Sequence, residues 1–467
     1  MLKILLESFP LTLRKGTGIY TYSLNLLRAL NELSIVEIGL LLLFETQFRK
    51  LGALRNKKAL LVLQNYADLM DELSRGEGVD MGDGWQRLAW LAKSLIAEPG
   101  LIDVPHYMKP SLREILTENT PTPYDFLEHN HPYVVDTSRQ RLLAKSRIDS
   151  IGKIRVKRLV DQYNIFHCTH LSPLTIPGLP RVTTVHDIIP LLRPELTRDN
   201  RRLFAELLAV NLRESDRVIA VSEATKKDLI EFGNINPDKV SVVYEAAAND
   251  LTPMRFEEAA PYLRSLKLFD TSGELQPYFL FIGNIEPKKN VRRLLEAFQQ
   301  FSLRDQVGYK LVIVGSKAWG FEPVKDLLEG LIKRRKVILT GYLSVDFLPA
   351  LLSQARAFLF PSLIEGFGLP ILEAMACGCP VITSTAAAIN EVCGTAGIQI
   401  DPQSVSELSQ AISRLAVDDE LCLKLREAGF QQNARFSWER CAKETLVVYE
   451  QARQDYVSRR RAANAKN

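Results

Sequence analysis

The sequence predicts an α/β protein made of two doubly wound domains with a cleft between them. Three observations lead there. The chain has 467 residues, too many for one compact domain at about 150 residues each and enough for two large ones. Short apolar runs alternate with helical apolar spacing along most of its length, as parallel βαβ units require. The chain opens with strand, glycine loop, helix and strand, the start of such a unit. Ligands of these folds bind at the carboxyl ends of the strands.

The first half begins with a strand at Leu2–Leu6 and a polar loop with Gly16-Thr17-Gly18. Ile19, Tyr22, Leu26, Leu30 and Leu33 then recur at helical spacing, and Ile35–Phe44 reads as a second buried strand. Residues 66–135 mix Gly, Pro, His and aromatics and predict an elaborated loop region with some short helix. Strands follow at 165–168, 181–185, 218–221 and 240–244. A polar helix spans 199–214, and Ser222 caps another over 223–231. Residues 246–276 read as a linker with a short helix.

The second half alternates more cleanly. Strands are predicted at 278–282, 310–314, 336–339, 356–360 and 380–383. Helices are predicted near 291–302, 322–333, 345–354, 371–377, 404–416, 419–434 and 437–455. The implied domains are 1–250, 251–435 and a C-terminal helix with a basic tail over 436–467. Arg459-Arg460-Arg461 in that tail is expected to be disordered.

Composition narrows the function. Hydrophobic residues make up 46% and charged residues 24%, ordinary globular values. Lys+Arg is 59 against Asp+Glu 55, which gives no reason to expect a nucleic-acid partner. Six cysteines without a CxxC pair suit reduced thiols and a cytoplasmic address. The run Ile4–Leu6 is too short for a signal-peptide core, and Gly39–Phe44 is only strand-sized. Any membrane contact is therefore expected to be peripheral. One candidate is Arg139–Arg158, with eight basic residues and one acid. A solvated helix is its first reading, and a patch for anionic membrane the second.

The chemistry concentrates in Phe358-Leu-Phe-Pro-Ser-Leu-Ile-Glu365-Gly366-Phe367-Gly368-Leu-Pro370-Ile-Leu-Glu373. A buried strand ends at Pro361, a glycine loop follows, and Pro370 suits a first helical turn. Free N–H groups at such a turn make an anion site that glycines let a phosphate approach. Glu365 and Glu373 would flank that anion and accept hydrogen bonds from sugar hydroxyls. A second element is Gly283-Asn284-Ile-Glu286-Pro-Lys288-Lys289-Asn290, whose lysines suit a diphosphate. A third is Thr183-Thr-Val-His186-Asp187-Ile-Ile-Pro190, a strand end carrying a histidine. The plain alternatives are solvated lysines, turn glycines at Gly16 and Gly18, and a satisfied histidine. His167-x2-His170 and His129-x-His131 lack the convergent carboxylates or thiols of a metal site.

Taken together, these segments resemble the retaining GT-B glycosyltransferases, in particular family 4 with its Glu-x7-Glu motif, and among them the mannosyltransferase-type members. The resemblance extends over nearly the whole chain, including GTGIYTYSLNLLRAL, HCTHLSP, VIAVSEATKKDL and FSWERCAKETLVVYE. It implies two Rossmann-like domains, an acceptor-side one first and a nucleotide-sugar-binding one second, with terminal helices crossing back to the first. It also implies site roles. Glu365, with the backbone of Gly366, Phe367 and Gly368, would hold the donor sugar and phosphate. Glu373 would hold the ribose, and Lys288 and Lys289 the diphosphate. His186 would contact the donor sugar, and the amides of Gly16 and Gly18 would close on phosphates or acceptor.

The implied reaction is transfer of a hexose, mannose first, from a nucleotide diphosphate sugar to a saccharide or lipid-linked acceptor. No cofactor or metal is expected where lysines take the cation's place. The sequence departs from the family at Asn284, where relatives carry Arg, and at Asn390, where they carry Pro before Glu391. A same-fold sugar-nucleotide epimerase or hydrolase is the alternative enzyme, and a catalytically silent binding subunit the alternative of another class.

Overall fold

The computed structural model describes residues 1–7, 18–44, 101–103, 131–136, 160–172 and 175–464. The described chain divides into two compact units. The first comprises Met1–Thr184, Arg213–Arg217 and Leu446–Asn467, and the second Val185–Leu212 and Val218–Thr445.

In the first unit the strands are β1 (Leu2–Glu7), β2 (Val36–Phe44), β3 (Leu101–Asp103), β4 (His131–Asp136), β5 (Ile165–Cys168) and β6 (Arg181–Val185). They lie in the order β3-β4-β2-β1-β5-β6. Every pairing is parallel except β3 with β4. Ile4, Leu5 and Leu6 are all fully buried, so both faces of β1 are covered, as a central parallel strand demands. The predicted glycine-loop helix is α1 (Gly18–Glu32), with Tyr22, Leu26 and Leu30 fully buried. It is tied to the sheet by Tyr22 Oη to Thr184 Oγ1 at 2.9 Å and by Ser23 Oγ donating to Thr169 Oγ1 at 2.9 Å.

Two expectations are corrected here. Residues 66–135 were expected to hold loop and short helix, yet β3 and most of β4 fall within them. Their pairing is set by distant residues: β4 takes its register from β2, Gly39 opposite His131 through Phe44 opposite Asp136. The basic tail is also ordered. The C-terminal helix (Trp438–Asn464) runs through Arg459–Arg461. Arg459 Nη2 lies 2.8 Å from the buried Asp216 Oδ1, and Asp455 Oδ2 accepts from Arg217 Nε at 2.6 Å. Partners more than two hundred positions away hold what local charge repulsion alone would loosen.

The second unit contains the parallel pair β7 (Arg217–Ala220) and β8 (Val240–Val242) with helices α2 (Arg201–Glu214), α3 (Glu223–Gly233) and α4 (Phe256–Ser265). Ser222 caps α3 as predicted, its side chain accepting from Thr225 N at 3.0 Å. A six-stranded sheet follows: β9 (Tyr278–Ile282), β10 (Lys310–Val314), β11 (Val337–Gly341), β12 (Ala357–Phe360), β13 (Val381–Ser384) and β14 (Ile398–Ile400). Between and after them run α5 (Val291–Ser302), α6 (Glu322–Lys333), α7 (Phe347–Gln354), α8 (Leu369–Ala376), α9 (Ala387–Cys393), α10 (Val405–Val417) and α11 (Asp419–Asn433). β9, β10, α5 and α6 match the sequence prediction at both ends, while α9 and β14 were not predicted.

Alternation along β9 shows how this sheet is held. Tyr278 and Leu280 enter one apolar cluster with Val312, Phe358 and Phe360. Phe279 and Phe281 enter the cluster on the opposite face with Leu311, Ile313 and Leu359. Each fully buried side chain of this size contributes about 1.5–3 kcal/mol. The strand order is β11-β10-β9-β12-β13-β14, all parallel. The chain therefore builds outward from β9 to β11, then returns to place β12 on the other side of β9. The strand order reverses between β9 and β12, and open α/β sheets leave a crevice at such a point.

Among the described residues no helix is long and apolar enough to cross a membrane.

Candidate active site

The loop after β9 is shaped by glycines. Gly283 has φ +151°, and a Cβ added at Gly315 would lie 2.1 Å from the Gly283 carbonyl oxygen. The two loops can cross this closely only without side chains there. The chain then makes one 3₁₀ turn, Pro287–Lys289, and stops at Asn290 in the left-handed region, φ +59°. Asn290 Nδ2 donates to the carbonyls of Pro361 at 3.0 Å and Pro402 at 2.7 Å. Leu363 N donates to Lys288 O at 2.8 Å. These bonds dock the lysine turn against the loop that leaves β12.

The docking brings four charged side chains together. Lys289 Nζ lies 2.6 Å from Glu365 Oε1, and Lys288 Nζ lies 3.7 Å from Glu365 Oε2. Glu286 Oε1 is 3.8 Å from Lys288 Nζ. The Lys289 ammonium also sits 4.8 Å over the Phe360 ring, an added cation–π contact. Burial pushes the Glu365 carboxyl up, but the two ammonium groups outweigh it and hold the group below its ordinary range. Lys288 is held above its ordinary range, chiefly by Glu365 against burial, with Asp187 and Glu286 adding to it. Both lysine side chains are thus partnered by the Glu365 carboxylate.

Asp187 belongs to the same cluster: burial raises its carboxyl, and Lys288 opposes this. A Cβ added at Gly366 would fall 2.0 Å from His186 O and 3.0 Å from Asp187 Cβ, so only glycine fits. The Gly366 carbonyl accepts from Ser222 Oγ at 2.7 Å and from Thr225 Oγ1 at 3.2 Å. Thr225 Oγ1 is also 3.2 Å from His186 O. Two hydroxyls at the start of α3 therefore tie the histidine segment to the glycine loop. His186 Nδ1 is 3.1 Å from Glu245 Oε1, with the carboxylate side chain only 4% exposed.

Gly368, φ +135°, precedes α8, and Pro370 takes the first turn as predicted. The Phe367 ring is core, packed near Tyr244 and Phe436, so only its backbone can face a ligand. Glu373 lies one turn inside α8. Burial, with Asp250 adding, pushes its carboxyl up to about 7.

Of the predicted residues, His186, Lys288, Lys289, Glu365 and Gly366 form one cluster, with Phe367, Gly368 and Glu373 continuing along the loop and helix. Gly18 opens α1 in the first unit, where an added Cβ meets nothing within 4 Å. Gly16 lies outside the described residues, as do His129 and the basic stretch 139–158. The exposed Asn284 brings no charge to the loop after β9. Asn390 Oδ1 accepts from Gln399 Nε2 at 2.8 Å. His167 is fully buried between Tyr449 Oη, 2.7 Å, and Thr184 Oγ1, 2.9 Å, a structural role.

Sequence reasoning missed Asp187, Ser222, Thr225 and Glu245 as parts of this site. It also missed Glu391, whose carboxylate accepts from the Glu223 and Ala224 amides at 2.8 and 3.2 Å and from Tyr244 Oη at 2.6 Å. Asp187 stood beside His186 in a segment already singled out. The others are joined to the cluster by contacts spanning 39 to 168 positions, which no local pattern signals.

Two family models match the chain: Glycosyltransferase Family 4 over residues 114–247 and Glycosyl transferases group 1 over residues 270–432. The O-antigen chain mannosyltransferase B of Escherichia coli is 34% identical over 269 residues, covering 57% of this chain and 69% of that one. This chain is a family 4 glycosyltransferase of the mannosyltransferase type. A second Escherichia coli relative of this glycosyltransferase, the serotype-specific mannosyltransferase WbdA, is 31% identical over 55% of this chain but only 32% of its own length. Among solved structures, Anabaena HepE in complex with UDP and glucose has a TM-score of 0.61 at 16% identity over 96% of this chain and 100% of that one. Sucrose-phosphate synthase from Thermosynechococcus elongatus has a TM-score of 0.60 at 16% identity over 97% and 99%. At such identities the likeness speaks to the fold, and it gives this glycosyltransferase the GT-B fold.

Proposed function

We propose that this glycosyltransferase moves a hexose, mannose first, from a nucleotide diphosphate sugar to a saccharide or lipid-linked acceptor with retention of configuration. The carrying observation is Lys288 and Lys289 converging on Glu365 at the strand-order reversal, beside the loop of Gly366 and Gly368. Breaking the anomeric C–O bond sends its electron pair to the leaving phosphate oxygen. Two ammonium groups and the free amides before α8 are placed to take up that charge. Glu365 is bound to Lys289 at 2.6 Å, which makes it a poor covalent nucleophile and a good acceptor for sugar hydroxyls. A same-face displacement follows, in which the acceptor hydroxyl attacks as the bond breaks and its proton goes to the leaving phosphate. Glu373 is assigned to the ribose, and His186 to the donor sugar.

Mannose is supported by the names of the two mannosyltransferase relatives. The nucleotide base is left to experiment. Residues 1–250 take the acceptor and residues 251–435 the donor in this reading. A lipid-linked acceptor at the cytoplasmic membrane face rests on the basic stretch 139–158. If it holds, sedimentation with anionic vesicles falls as salt rises, and neutral vesicles bind nothing.

The test is transfer by the purified chain from GDP-mannose, UDP-glucose and other nucleotide sugars, with the product anomer read by NMR. Retained configuration and an unchanged rate in excess EDTA are expected, since the lysines supply the cationic charge. Complete loss in EDTA that Mg²⁺ or Mn²⁺ restores overturns the metal-free reading. Sugar released or epimerised without any acceptor points to the epimerase or hydrolase alternative.

A further inference from the structure

The loops at the amino ends of β10 and β11 have no part in the site above. In this parallel sheet they lie on the edge opposite the loops that follow β9 and β12 and carry Lys288, Lys289 and Glu365. Polar contacts join the two loops side by side. Lys310 Nζ donates to the Arg335 carbonyl at 2.7 Å, and Leu311 N donates to the Lys336 carbonyl at 2.9 Å. Lys336 Nζ lies 3.6 Å from Asp305 Oδ2.

Residues 303–310 and 332–336 together hold six basic side chains, Arg304, Lys310, Lys333, Arg334, Arg335 and Lys336, and one acid, Asp305. The acid is taken up inside the fold. Its side chain is 2% exposed and accepts from the Val307 and Gly308 amides at 3.0 and 3.1 Å. Arg304, Lys333, Arg334 and Arg335 are exposed. Among the described residues, no carboxylate pairs with any of these four. Helix C-termini favour bases, which accounts for Arg304, Lys333 and Arg334 one at a time. It does not account for Arg335, which follows α6 in the left-handed region at φ +56°, where glycine is the usual residue. Nor does it account for Lys310, whose ammonium is held below its ordinary range by burial and by the nearby Lys336 and Arg335.

Three aliphatic side chains stand among these bases. Leu303 is 78% exposed, Val307 65% and Ile332 38%. Their loop is anchored. Tyr309 is buried against Phe279 and Phe301, and its Oη donates to the Ala416 carbonyl at 2.9 Å. Single exposed aliphatics are ordinary. Three on adjoining loops, beside bases that no carboxylate neutralises, fit one kind of surface. Single-stranded nucleic acid rewards exposed aromatics that stack on its bases, and these loops present none. An anionic bilayer offers phosphates above an acyl boundary, which suits bases interleaved with aliphatics.

We propose that this edge of the second unit docks on an anionic membrane surface, with Arg304, Lys333, Arg334 and Arg335 on lipid phosphates and Leu303, Val307 and Ile332 at the acyl boundary. It is a separate face from the stretch 139–158, and it does not depend on which sugar is transferred. The donor loops, at the other edge of the same sheet, then face away from the bilayer.

The test is sedimentation of the full chain with phosphatidylcholine vesicles, with and without phosphatidylglycerol, at low and high salt. Binding to the anionic vesicles alone, weakening as salt rises, is expected. Each base near an anionic surface multiplies affinity about fivefold, so Arg304→Gln, Lys333→Gln and Arg334→Gln together should lower it about a hundredfold. Leu303→Ser with Val307→Ser should lower the binding that persists at high salt. All five side chains are exposed, so melting temperatures should hold, and thermal scans separate lost docking from lost folding.

A wild-type chain that binds no anionic vesicle at low salt overturns the proposal, as does one that binds DNA but not vesicles. Unchanged vesicle affinity in the triple variant also overturns it. Affinity lost only when the bases of 139–158 are neutralised overturns this face and leaves the membrane reading of that stretch standing. Affinity lost only in the triple variant does the reverse.

Discussion

Glu365 and Glu373 are eight positions apart on one loop and helix, and they live in opposite electrostatic worlds. Glu365 has two lysines within 4 Å and is held below its ordinary range despite its burial. Glu373 has burial and a further carboxylate, Asp250, against it, and is pushed up to about 7. The first is an ion made comfortable by the fold. The second is an acid the fold keeps uncomfortable, a state in keeping with a ligand that will reward it. The same residue type in one motif thus contributes to stability in one case and draws on it in the other.

The sharpest way to break this contrast is Glu365→Gln. It removes a charge assigned to the reacting sugar and leaves two lysines without their main counter-ion. A kcat loss of about a hundredfold or more is expected, with free nucleotide diphosphate affinity nearly intact, read by steady-state kinetics beside titration calorimetry. Loss of nucleotide binding with kcat preserved would mean that the two glutamates have each other's roles.

Glu373→Gln should do the reverse. A charged hydrogen bond to a ribose hydroxyl contributes about 1.5–3 kcal/mol. Donor and free nucleotide should therefore weaken alike, about tenfold to a hundredfold, with kcat less affected. If neither substitution changes anything, the donor site is elsewhere.

The smallest effect is on stability, and its sign separates the pair. The raised Glu373 makes the folded state bind more protons than the unfolded one between the ordinary carboxyl value and about 7. Its stabilising contribution is complete below that window, is lost as pH rises through it, and is gone above it. Glu373→Gln should thus melt a few degrees higher than wild type at pH 8 and about equally at pH 4. Glu365 has a lowered value, so its contribution is present above the ordinary carboxyl range and is lost as pH falls through its own. Glu365→Gln should melt lower than wild type at pH 8. Thermal scans at the two pH values suffice, and a Glu373→Gln that destabilises at pH 8 would mean that the carboxylate has a partner when the site is empty.

Much of this contrast was legible in the sequence. Residues 278–282 read as a strand, and they form β9, with Tyr278, Phe279, Leu280 and Phe281 all buried. Pro370 after two glycines marked a helix start, and α8 begins there. Those features are local, so local patterns reveal them. What failed is non-local. β4 exists because β2 offers it an edge, and Arg459 is ordered because Asp216 is buried beneath it. Glu245 reads as an unremarkable acid after a strand until His186, 59 positions earlier, is seen against it.

The two glycines of the motif carry a lesson for laboratory selection. A library randomised across residues 363–368 would return glycine at both 366 and 368, but for unrelated reasons. At 366 the obstacle is matter: the first carbon of any side chain would occupy the space of the His186 carbonyl, 2.0 Å away. Rescue there calls for second-site changes that shift the histidine segment. At 368 the obstacle is the torsion, φ +135°, and a compensating change must reshape the loop's own path into α8. Suppressors of a Gly366 variant should therefore appear around residues 183–190 and 222–225, and those of a Gly368 variant close by in the chain.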